Sequence, residues 1–595
     1  MSGKPAARVS DSVSKGVIVS GSATVLIGDA AEGKADRCPV CEPAVGAPVN
    51  PLLGVKLLPA ETDFALPAPQ PFVFARSYAS NDMRVGVLGQ GWSIPGEGVG
   101  LELSPAATVV IDGQGRRITF GALEPGEARF SPSERLWIRR GETASTPWEG
   151  RWAGVPEVLR RNSETVFVLA GGQYFHFAPV AGTYRLHTQF DRNHYATQFG
   201  WLPDGLLAVV RDSAGRHYRF AYRHFGNEVR LAGVALAVPG QPWQGLLDAD
   251  EQADWLVRYQ YSGKGELLAV FDRAGQPMRS FAWRHGRLVA HGRPDGLDVQ
   301  YTWDAQGRVV QQREVDGLSR QYAYHADHTI VTDSLGRTET YHFEGEGPDT
   351  RWTAHTRADG STVRFEYDGF GRRVASIDAL ERVTRERLDG QGRRVARILP
   401  DGSAWRYRLD EDSGEVLAIE GPEGLAWHIE RDERANPLVV RGPGGHETRY
   451  RYEDPRLPDR PTSIISDGRE RRLAWNALGQ LTTHTDCSGH TTRFSHDAEG
   501  RLVSQTNALG ETTAYAYDSI GRLIVQTDAA RQSTRYSYDA PGRLIALERP
   551  DGKVERLAWD RFGRLTAFMD AGGSPSAIAT MRLGGSSNSR TRTMR

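Results

Sequence analysis

Aromatic or β-branched side chains alternate with polar ones over most of this chain. Between residues 190 and 570, segments such as 513–517 and 534–538 have the form Thr-x-Tyr-x-Tyr and others are degenerate copies of it. The pattern is typical of a strand with one buried face. Asp-x-x-Gly follows, in which the Asp side chain caps the next backbone N–H groups and the Gly adopts a positive φ. An Arg-Leu pair then begins a returning strand. The pattern predicts about two antiparallel strands in each unit.

The unit recurs with a fixed step. The Asp or Asn of the turn stands every 21 residues in two series, Asp368, Asp389 and Asp410, and Asn476, Asp497, Asp518, Asp539 and Asp560. The best-preserved motif positions are Tyr367, Asp368, Gly371, Arg372, Tyr515, Tyr517, Asp518, Gly521, Arg522, Tyr536, Tyr538, Asp539, Gly542 and Arg543. One hairpin is too small to be stable alone, so neighbouring units must stack. Because strand twist accumulates, we expect an all-β wall that curves or spirals.

The motif Tyr-x-Tyr-Asp-x-x-Gly-Arg-Leu, found at residues 515–523 and 536–544, resembles the Rhs (YD-repeat) family. Residues 48–78 and 89–92 resemble the domain that precedes the repeats in bacterial Rhs proteins. Residues 3–28 resemble part of a PAAR domain, the metal-stabilised tip of the type VI secretion spike. This copy has no His before His176 and no Cys in the loop at residues 11–16, which argues against a zinc-bound tip.

The resemblance implies an all-β fold in which the YD repeats form a curved, partly closed β-cocoon shell with a β-rich N-terminal plug domain. We divide the chain into a partial PAAR-like segment and linker (1–40), the N-terminal β-rich domain (41–185), the repeat array (186–570) and a tail (571–595). The implied function is a non-catalytic encapsulation and delivery scaffold for a type VI secretion Rhs toxin, used in interbacterial competition. The implied partners are a VgrG-like spike protein, a dedicated chaperone, the C-terminal toxin and its immunity protein.

The repeat pattern stops after Asp570, and the tail is rich in Ser, Gly and Arg. Back-translation of residues 577–586 in a shifted frame permits Tyr-Arg-Tyr-Asp-Ala-Pro-Gly-Arg-Leu in phase with the repeat. Our hypothesis is a frameshift between about residues 571 and 576, giving a disordered tail and a chain truncated before the toxin. The family's cleavage motif, Asp-Pro-x-Gly, is absent, since the one Asp-Pro pair is Asp454-Pro455, followed by Arg456.

Composition narrows the class of function. Lys and Arg number 73 against 74 Asp and Glu, and this net charge of -1 lacks the basic excess of a dedicated nucleic-acid binder. The sequence contains no run of 18 or more apolar residues, so it predicts no membrane-spanning helix. Residues 1–15 have no apolar core that would make a signal peptide. We expect a protein of the bacterial cytoplasm that is then exported through type VI secretion.

Candidate chemistry is sparse. Cys38 and Cys41 could form half of a zinc site, but no other ligands stand nearby, and a turn in the linker is the alternative that we favour. The repeated Asp residues are better explained as turn caps than as catalytic acids, because a general acid needs one special environment. We therefore expect neither an enzyme nor a cofactor. A YD-repeat surface adhesion or carbohydrate-binding protein is the alternative function, because Tyr and Trp can stack on sugars.

Overall fold

A computed structural model of the chain describes residues 12–13, 16–17 and 43–577, except residues 114, 144–147, 238–252, 294–297, 316, 346–349, 540–541 and 561–563. Helical structure in this part comprises one short helix, α1 (Glu157–Arg160), and three 3-10 turns, at Gly150–Trp152, Pro422–Gly424 and Pro443–Gly445. No helix in the described ranges is long and apolar enough to cross a membrane.

The strands before the long sheet and at its start are β1 (Ser12–Val13), β2 (Gly16–Val17), β3 (Val49–Asn50), β4 (Val55–Ala65), β5 (Val73–Ala79), β6 (Val85–Gly86), β7 (Gly89–Gln90), β8 (Trp92–Ser93), β9 (Gly100–Leu103), β10 (Ala107–Ile111), β11 (Arg117–Gly121), β12 (Ala128–Ser131), β13 (Leu136–Arg140), β14 (Val166–Ala170), β15 (Gln173–Val180), β16 (Thr183–Phe190), β17 (Ala196–Trp201), β18 (Leu207–Arg211), β19 (His217–Phe225), β20 (Glu228–Leu236), β21 (Asp254–Tyr261), β22 (Leu267–Phe271), β23 (Pro277–Arg284), β24 (Arg287–Gly292) and β25 (Val299–Trp303).

The strands that follow are β26 (Val309–Glu314), β27 (Arg320–Tyr324), β28 (His328–Asp333), β29 (Thr338–Glu344), β30 (Arg351–Thr356), β31 (Thr362–Tyr367), β32 (Arg373–Ile377), β33 (Val383–Leu388), β34 (Arg394–Ile398), β35 (Ala404–Leu409), β36 (Val416–Glu420), β37 (Ala426–Arg431), β38 (Pro437–Arg441), β39 (Glu447–Arg451), β40 (Ser463–Ser466), β41 (Arg469–Trp475), β42 (Leu481–Thr485), β43 (Thr491–His496), β44 (Leu502–Thr506), β45 (Thr512–Tyr517), β46 (Leu523–Thr527), β47 (Ser533–Tyr538), β48 (Leu544–Glu548), β49 (Val554–Trp559), β50 (Leu565–Met569) and β51 (Pro575–Ala577).

One antiparallel sheet contains every strand from β12 to β51, and each strand pairs with the next along the chain. Strand β9 pairs with β10 and, through Leu101 and Tyr184, with β16. Strands β3, β4, β5 and β8 form a separate small sheet. The prediction of an all-β fold built from antiparallel strands is confirmed. The long sheet continues without a break through residue 186, where we place the start of the repeat array.

The two faces of the long sheet differ in chemistry. We call the face that residues 43–94 pack against the inner face, and the opposite one the outer face. Following the register strand by strand from Tyr301 places Tyr515 and Tyr536 on the inner face. Side chains alternate along a strand, so the exposed Arg493 and Arg535 lie on the outer face. In these later repeats the inner face therefore carries half-buried aromatic rings, whereas the outer face carries exposed arginines.

A β-bulge recurs in almost every repeat. The register shifts just before the residue that precedes the turn Asp, as between Ala516 and Tyr517 and again between Ser537 and Tyr538. Bulges bend a strand and increase its right-handed twist. Because the bulge returns with the repeat, the bend accumulates in one direction and the sheet coils.

The coil places loops that are far apart in sequence beside each other. Arg151 donates from Nη1 to Gln391 Oε1 at 2.9 Å, and Arg192 donates from Nη2 to Asp412 O at 3.0 Å. Three further contacts join distant loops in the same way. The Tyr195 hydroxyl bonds to Asp459 at 2.6 Å, Arg273 forms an ion pair with Glu499 at 3.0 Å, and Arg151 bonds to the backbone oxygen of Glu411. These partners are 220 to 264 residues apart. We call these contacts the seam; they show that the sheet lies beside itself after roughly that length.

The end of the ordered sheet differs from the prediction. Residues 571–577 lie in the segment that we predict to be a disordered tail, yet they form a turn and strand β51, which pairs with β50. Asp570 Oδ1 accepts the backbone N–H groups of Gly572 and Ser574, both at 2.9 Å. The Asp-x-x-Gly chemistry therefore operates once more after Asp570. Residues 578–595 lie outside the described residues, and with them most of the segment that we attribute to a frameshift.

Candidate functional site

Apolar side chains fix the N-terminal segment, residues 43–94, on the inner face. Phe74 is fully buried and meets Phe220 with ring centroids 5.8 Å apart. Phe72 contacts Phe199 at 6.3 Å, edge to face. A second cluster joins Val49 and Leu52 to Val299, Tyr301 and Val309. Burying large aromatic and aliphatic side chains supplies most of the free energy of such packing.

A cluster of charges lies within this apolar contact. Arg76, whose side chain is 1% exposed, places Nη1 2.7 Å from Glu61 Oε2 and Nε 3.1 Å from Asp63 Oδ1. From the long sheet, Arg279 donates to Glu61 Oε1 at 2.6 Å, and the Tyr259 hydroxyl donates to Asp63 Oδ2 at 2.6 Å. The Arg76 guanidinium also lies 5.5 Å from the ring centroid of Trp92. Each acid of β4 is thus shared between the N-terminal segment and the repeat sheet.

A second polar contact fixes Lys56. Its Nζ donates to Ala47 O at 2.7 Å and to Leu57 O at 2.6 Å, and it lies 4.9 Å from the Tyr301 ring centroid. The Tyr301 hydroxyl donates to Ala47 O. His291 Nε2 is 2.9 Å from the same hydroxyl oxygen, and its Nδ1 is 3.3 Å from an Arg279 nitrogen. The assignment that satisfies all these contacts has the proton of His291 on Nε2.

Burial shifts the pKa values of these groups in opposite directions. Desolvation raises the pKa of Asp63, although Arg76 opposes this shift. Desolvation lowers the pKa of Lys56 well below its ordinary value. Burial, followed by the charges of Lys56, Arg279 and Arg76, lowers the pKa of His291 to about 2. These ionisable groups are therefore strongly desolvated where the N-terminal segment contacts the repeat sheet.

This charge cluster is not among the sites predicted from the sequence. A usable signal exists, because Glu61 and Asp63 stand two residues apart on one face of a strand that begins Val-Lys-Leu-Leu. Two acids on the buried side of a strand require buried counter-charges. The partner Arg279 is more than two hundred residues away, and no local pattern indicates it.

Replacing Arg76 by Met should detach the N-terminal segment. The change leaves Glu61 and Asp63 without their buried cation, and breaking such a pair costs about 3–5 kcal/mol. Hydrogen exchange of residues 55–79 should accelerate accordingly. The matched control is Arg84→Met, which removes an ion pair whose arginine is 41% exposed and should cost less than about 1 kcal/mol. Equal effects of the two substitutions would contradict the assigned role of the cluster.

Acid should weaken the same contact through His291. Its pKa in the folded chain is about 2, below the ordinary value, so its contribution is complete above pH 6.5 and is lost as the pH falls towards 2. The loss should be roughly 2 kcal/mol by pH 5. His291→Gln, measured by urea unfolding at pH 7 and pH 5, should reduce this pH dependence. An unchanged slope would show that other groups dominate, since Asp63, with its raised pKa, acts in the opposite direction at lower pH.

The repeat motif forms one recurrent structure, the Asp–Arg turn. In the copy at residues 518–522, Asp518 Oδ1 accepts the backbone N–H groups of Ile520 and Arg522, and Oδ2 accepts from Arg522 Nε at 2.6 Å. Gly521 has φ +88°, which L side chains rarely adopt. Asp368 with Arg372 and Asp539 with Arg543 repeat the ion pair, and their glycines, Gly371 and Gly542, also have positive φ.

The Asp–Arg turn also joins one repeat to the next. Arg522 donates from Nη1 to Asp539 O at 3.2 Å, and its guanidinium lies 5.0 Å from the ring centroid of Tyr538. The Tyr538 hydroxyl donates to Leu523 O at 2.8 Å. Tyr517 and Tyr367 make the corresponding bonds to Leu502 O and Trp352 O. Arg393, Arg501 and Arg543 make the same contact to the backbone oxygens of Asp410, Asp518 and Asp560, and so fix the position of the following turn.

Substituting Arg522 by Lys should loosen the following repeat. A lysine ammonium does not reproduce the planar fork that contacts Asp518, Asp539 and Tyr538 together. Because the arginine is 31% exposed, we expect a local loss of about 1 kcal/mol. Hydrogen exchange of residues 533–548 is the measurement. Arg535→Lys, at a 61% exposed outer-face position, should leave the exchange unchanged, and a comparable acceleration there would contradict the assignment.

The remaining candidate residues do not converge on one centre. Cys38 and Cys41 lie outside the described residues. Asp454 begins a turn in which its backbone oxygen accepts the N–H of Leu457 at 3.0 Å. Within the described ranges, no group of three or more His, Cys, Asp or Glu side chains is arranged to hold a metal ion. The described residues form a long β-sheet with the N-terminal segment, residues 43–94, packed on its inner face.

Comparison with known families agrees with this geometry. Residues 282–318, 350–383, 475–513, 496–531 and 517–554 match the RHS Repeat family. The chain belongs to the Rhs repeat family. Residues 46–120, which include the charge cluster partners Glu61, Asp63 and Arg76, match a domain of unknown function, DUF6531. In this Rhs chain, the segment anchored on the inner face is therefore a recognised domain.

Two curated relatives extend the comparison. The chain is 49% identical over 504 residues to Toxin protein Tse5 of Pseudomonas aeruginosa, covering 82% of this chain and 38% of that protein. It is 28% identical to Double-stranded DNA deaminase toxin A of Burkholderia cenocepacia, covering 75% of this chain and 30% of the relative. The chain thus spans about a third of the length of the curated relatives that it matches.

A solved structure, TcdB2-TccC3 without its hypervariable C-terminal region, matches with a TM-score of 0.35 and 13% identity. The match covers 84% of this chain and 30% of that chain. The fold of the chain is assigned from its own strand pairing.

Proposed function

We propose that this Rhs chain forms part of a shell that encloses and delivers a toxin. The observation that carries the proposal is the coil, in which a continuous antiparallel sheet meets itself along the seam and encloses its aromatic face. Two curated relatives that match the chain are named as toxins, and each is about three times longer than the matched part. In the proposal, the enclosed cargo is a toxin segment of such a longer protein.

The inner face suits a polypeptide cargo. Phe494, Tyr515 and Tyr536 are half-buried on the inner face, where nothing from the N-terminal segment covers them in the described contacts. Half-exposed aromatic rings bind apolar side chains and backbone without a fixed register. Such a surface holds a chain in extended or partly unfolded form.

The role proposed for the described residues is structural. Burial alone would raise the pKa of Asp518, but the backbone N–H and guanidinium of Arg522 outweigh it, and the pKa lies below its ordinary value. Asp368 and Asp497 behave in the same way. A general acid at neutral pH requires the opposite shift. The repeated carboxylates thus act as turn caps in this proposal.

The delivery route follows from the family resemblance. The PAAR-like residues 3–28 favour attachment to a VgrG-like type VI spike protein, with a dedicated chaperone before export. We propose a bacterial cytoplasmic origin followed by type VI secretion, and an immunity protein that protects the producing cell from the toxin. In the same proposal, residues 41–185 end one side of the shell and residues 186–570 form its wall.

Weakening the seam tests whether the wall encloses space. A variant carrying Arg151→Gln, Tyr195→Phe and Arg273→Gln removes the donors of four of the five seam contacts. We expect limited proteolysis to cut residues 391–499 at least several-fold faster in this variant. The matched control replaces three outer-face arginines, Arg406, Arg493 and Arg556, by Gln and should be cut at the rate of the unaltered chain.

A chimaera tests enclosure of a cargo. Residues 43–577 continue into the C-terminal remainder of the 49%-identical relative, and protease cleavage of that remainder is followed with and without the seam substitutions. Protection in the intact chimaera and its loss in the seam variant support the shell. Cleavage of the remainder at the rate seen for the isolated segment would show that the wall encloses nothing.

A further inference from the structure

A β-bulge places two histidines side by side under the loop at residues 148–160. Strands β15 and β16 pair His176 with Thr188 and then Phe177 with Leu186, so that His187 is the extra residue of the bulge. Its imidazole centroid lies 6.2 Å from that of His176. Bulges frequently redirect a side chain next to a functional site.

Three of the four ring nitrogens of this pair are buried without a hydrogen-bond partner among the described residues. His176 is 6% exposed. Its Nδ1 and Nε2 and the Nε2 of His187 are buried, and none of the three makes a hydrogen bond among the described residues. A buried polar atom without a partner costs about 1–3 kcal/mol. Such groups are paired in most proteins, and an exception indicates a bound water or ion.

Aromatic side chains lie beside the pair, and behind them Arg139, paired with Glu142, contacts the ring of Trp148. The ring of Phe167 stacks on His176 with centroids 5.0 Å apart, and Trp148 meets Phe167 edge to face at 5.3 Å. Burial, followed by the charge of His187, lowers the pKa of His176 to about 4, and burial lowers that of His187. No carboxylate contributes to either shift. Both imidazoles are therefore neutral at pH 7, the form that binds a metal ion.

We propose that His176 and His187 bind one Cu(I) ion between their imidazole rings. Metal–nitrogen bonds to imidazole are about 2.0 Å long, which places each ring centroid roughly 3.1 Å from the metal. Two rings on opposite sides of one ion then stand about 6 Å apart, as these do. The ion would bond to two of the three buried ring nitrogens that make no hydrogen bond among the described residues, one on each imidazole.

The ligand set favours Cu(I) over Zn²⁺. Zinc sites in proteins take four ligands, or three with a water, and this pair offers two imidazoles and no anion. A monovalent ion in linear coordination by two neutral nitrogens leaves less charge in an apolar pocket. Imidazole is an accepted ligand for copper.

The test titrates the full chain with Cu(I) under anaerobic conditions against a chromogenic Cu(I) chelator. Because thiolates bind Cu(I) strongly, the three cysteines are first replaced by Ser. We expect one Cu(I) per chain, a rise in Tm on binding, and a copper X-ray absorption spectrum with two nitrogen neighbours. A parallel titration with Zn²⁺ should show at least tenfold weaker binding.

Two variants locate the ion. His187→Gln and His176→Phe, the second of which retains the stacking on Phe167, should each lower the affinity for Cu(I) at least tenfold and abolish the Tm rise. His328→Ala removes a histidine that lies near two others, His325 and His342, and should change neither. Circular dichroism shows whether each variant is folded, so the two substitutions provide independent tests.

Three results would overturn the proposal. The first is no Cu(I) binding by the cysteine-free chain, which leaves a bound water as the partner of the ring nitrogens. The second is Cu(I) binding that both folded histidine variants retain. The third is tighter binding of Zn²⁺ than of Cu(I) by the same pair.

Discussion

The rest of the sheet depends on the hydrogen bonds and the ion pair that the carboxylate of the Asp–Arg turn makes. The carboxylate accepts two backbone N–H groups within its own turn and pairs with the arginine four residues on, as in Asp518 with Arg522. That arginine then reaches the backbone oxygen of the next turn. The spacing of successive turns is therefore fixed by side chains as well as by strand pairing. Because the bulge before each turn bends the sheet by a similar amount, a constant repeat length produces a constant coil.

The coil is supported unevenly along the chain. The large apolar clusters join the N-terminal segment to strands up to β29, and their last members are Leu288 in one cluster and Tyr341 in another. Among the described residues beyond 350, the buried apolar side chains are few: Ala375, Ala396, Ala418, Ile419, Ile429, Leu457 and Ile464. The later repeats thus gain stability chiefly from neighbouring repeats and from the seam, as in other repeat proteins. Their aromatic inner face remains half-exposed.

Most of the fold was predictable from the sequence, because turn chemistry and alternation are local. The Thr-x-Tyr-x-Tyr strands, the Asp-x-x-Gly turns and the 21-residue step predict two antiparallel strands per unit, and the structure has them. The sequence predicts that an arginine follows each turn glycine, but it does not predict that Arg522 donates to the backbone oxygen of the following turn. The repeat pattern does not predict the turn at Asp570, because the motif after it lacks the Tyr-x-Tyr strand.

The charge cluster and the seam were not predictable, because their partners are set by the coil. Glu61 meets Arg279, and Tyr195 meets Asp459, across separations that depend on how many repeats make one turn. Small errors in the bend of each repeat would shift those partners by a whole strand. The His176–His187 pair depends on a single extra residue in β16, which alternation alone places on the opposite face. Such features arise where the regular pattern is broken, and these are the sites at which a repeat wall acquires specific chemistry.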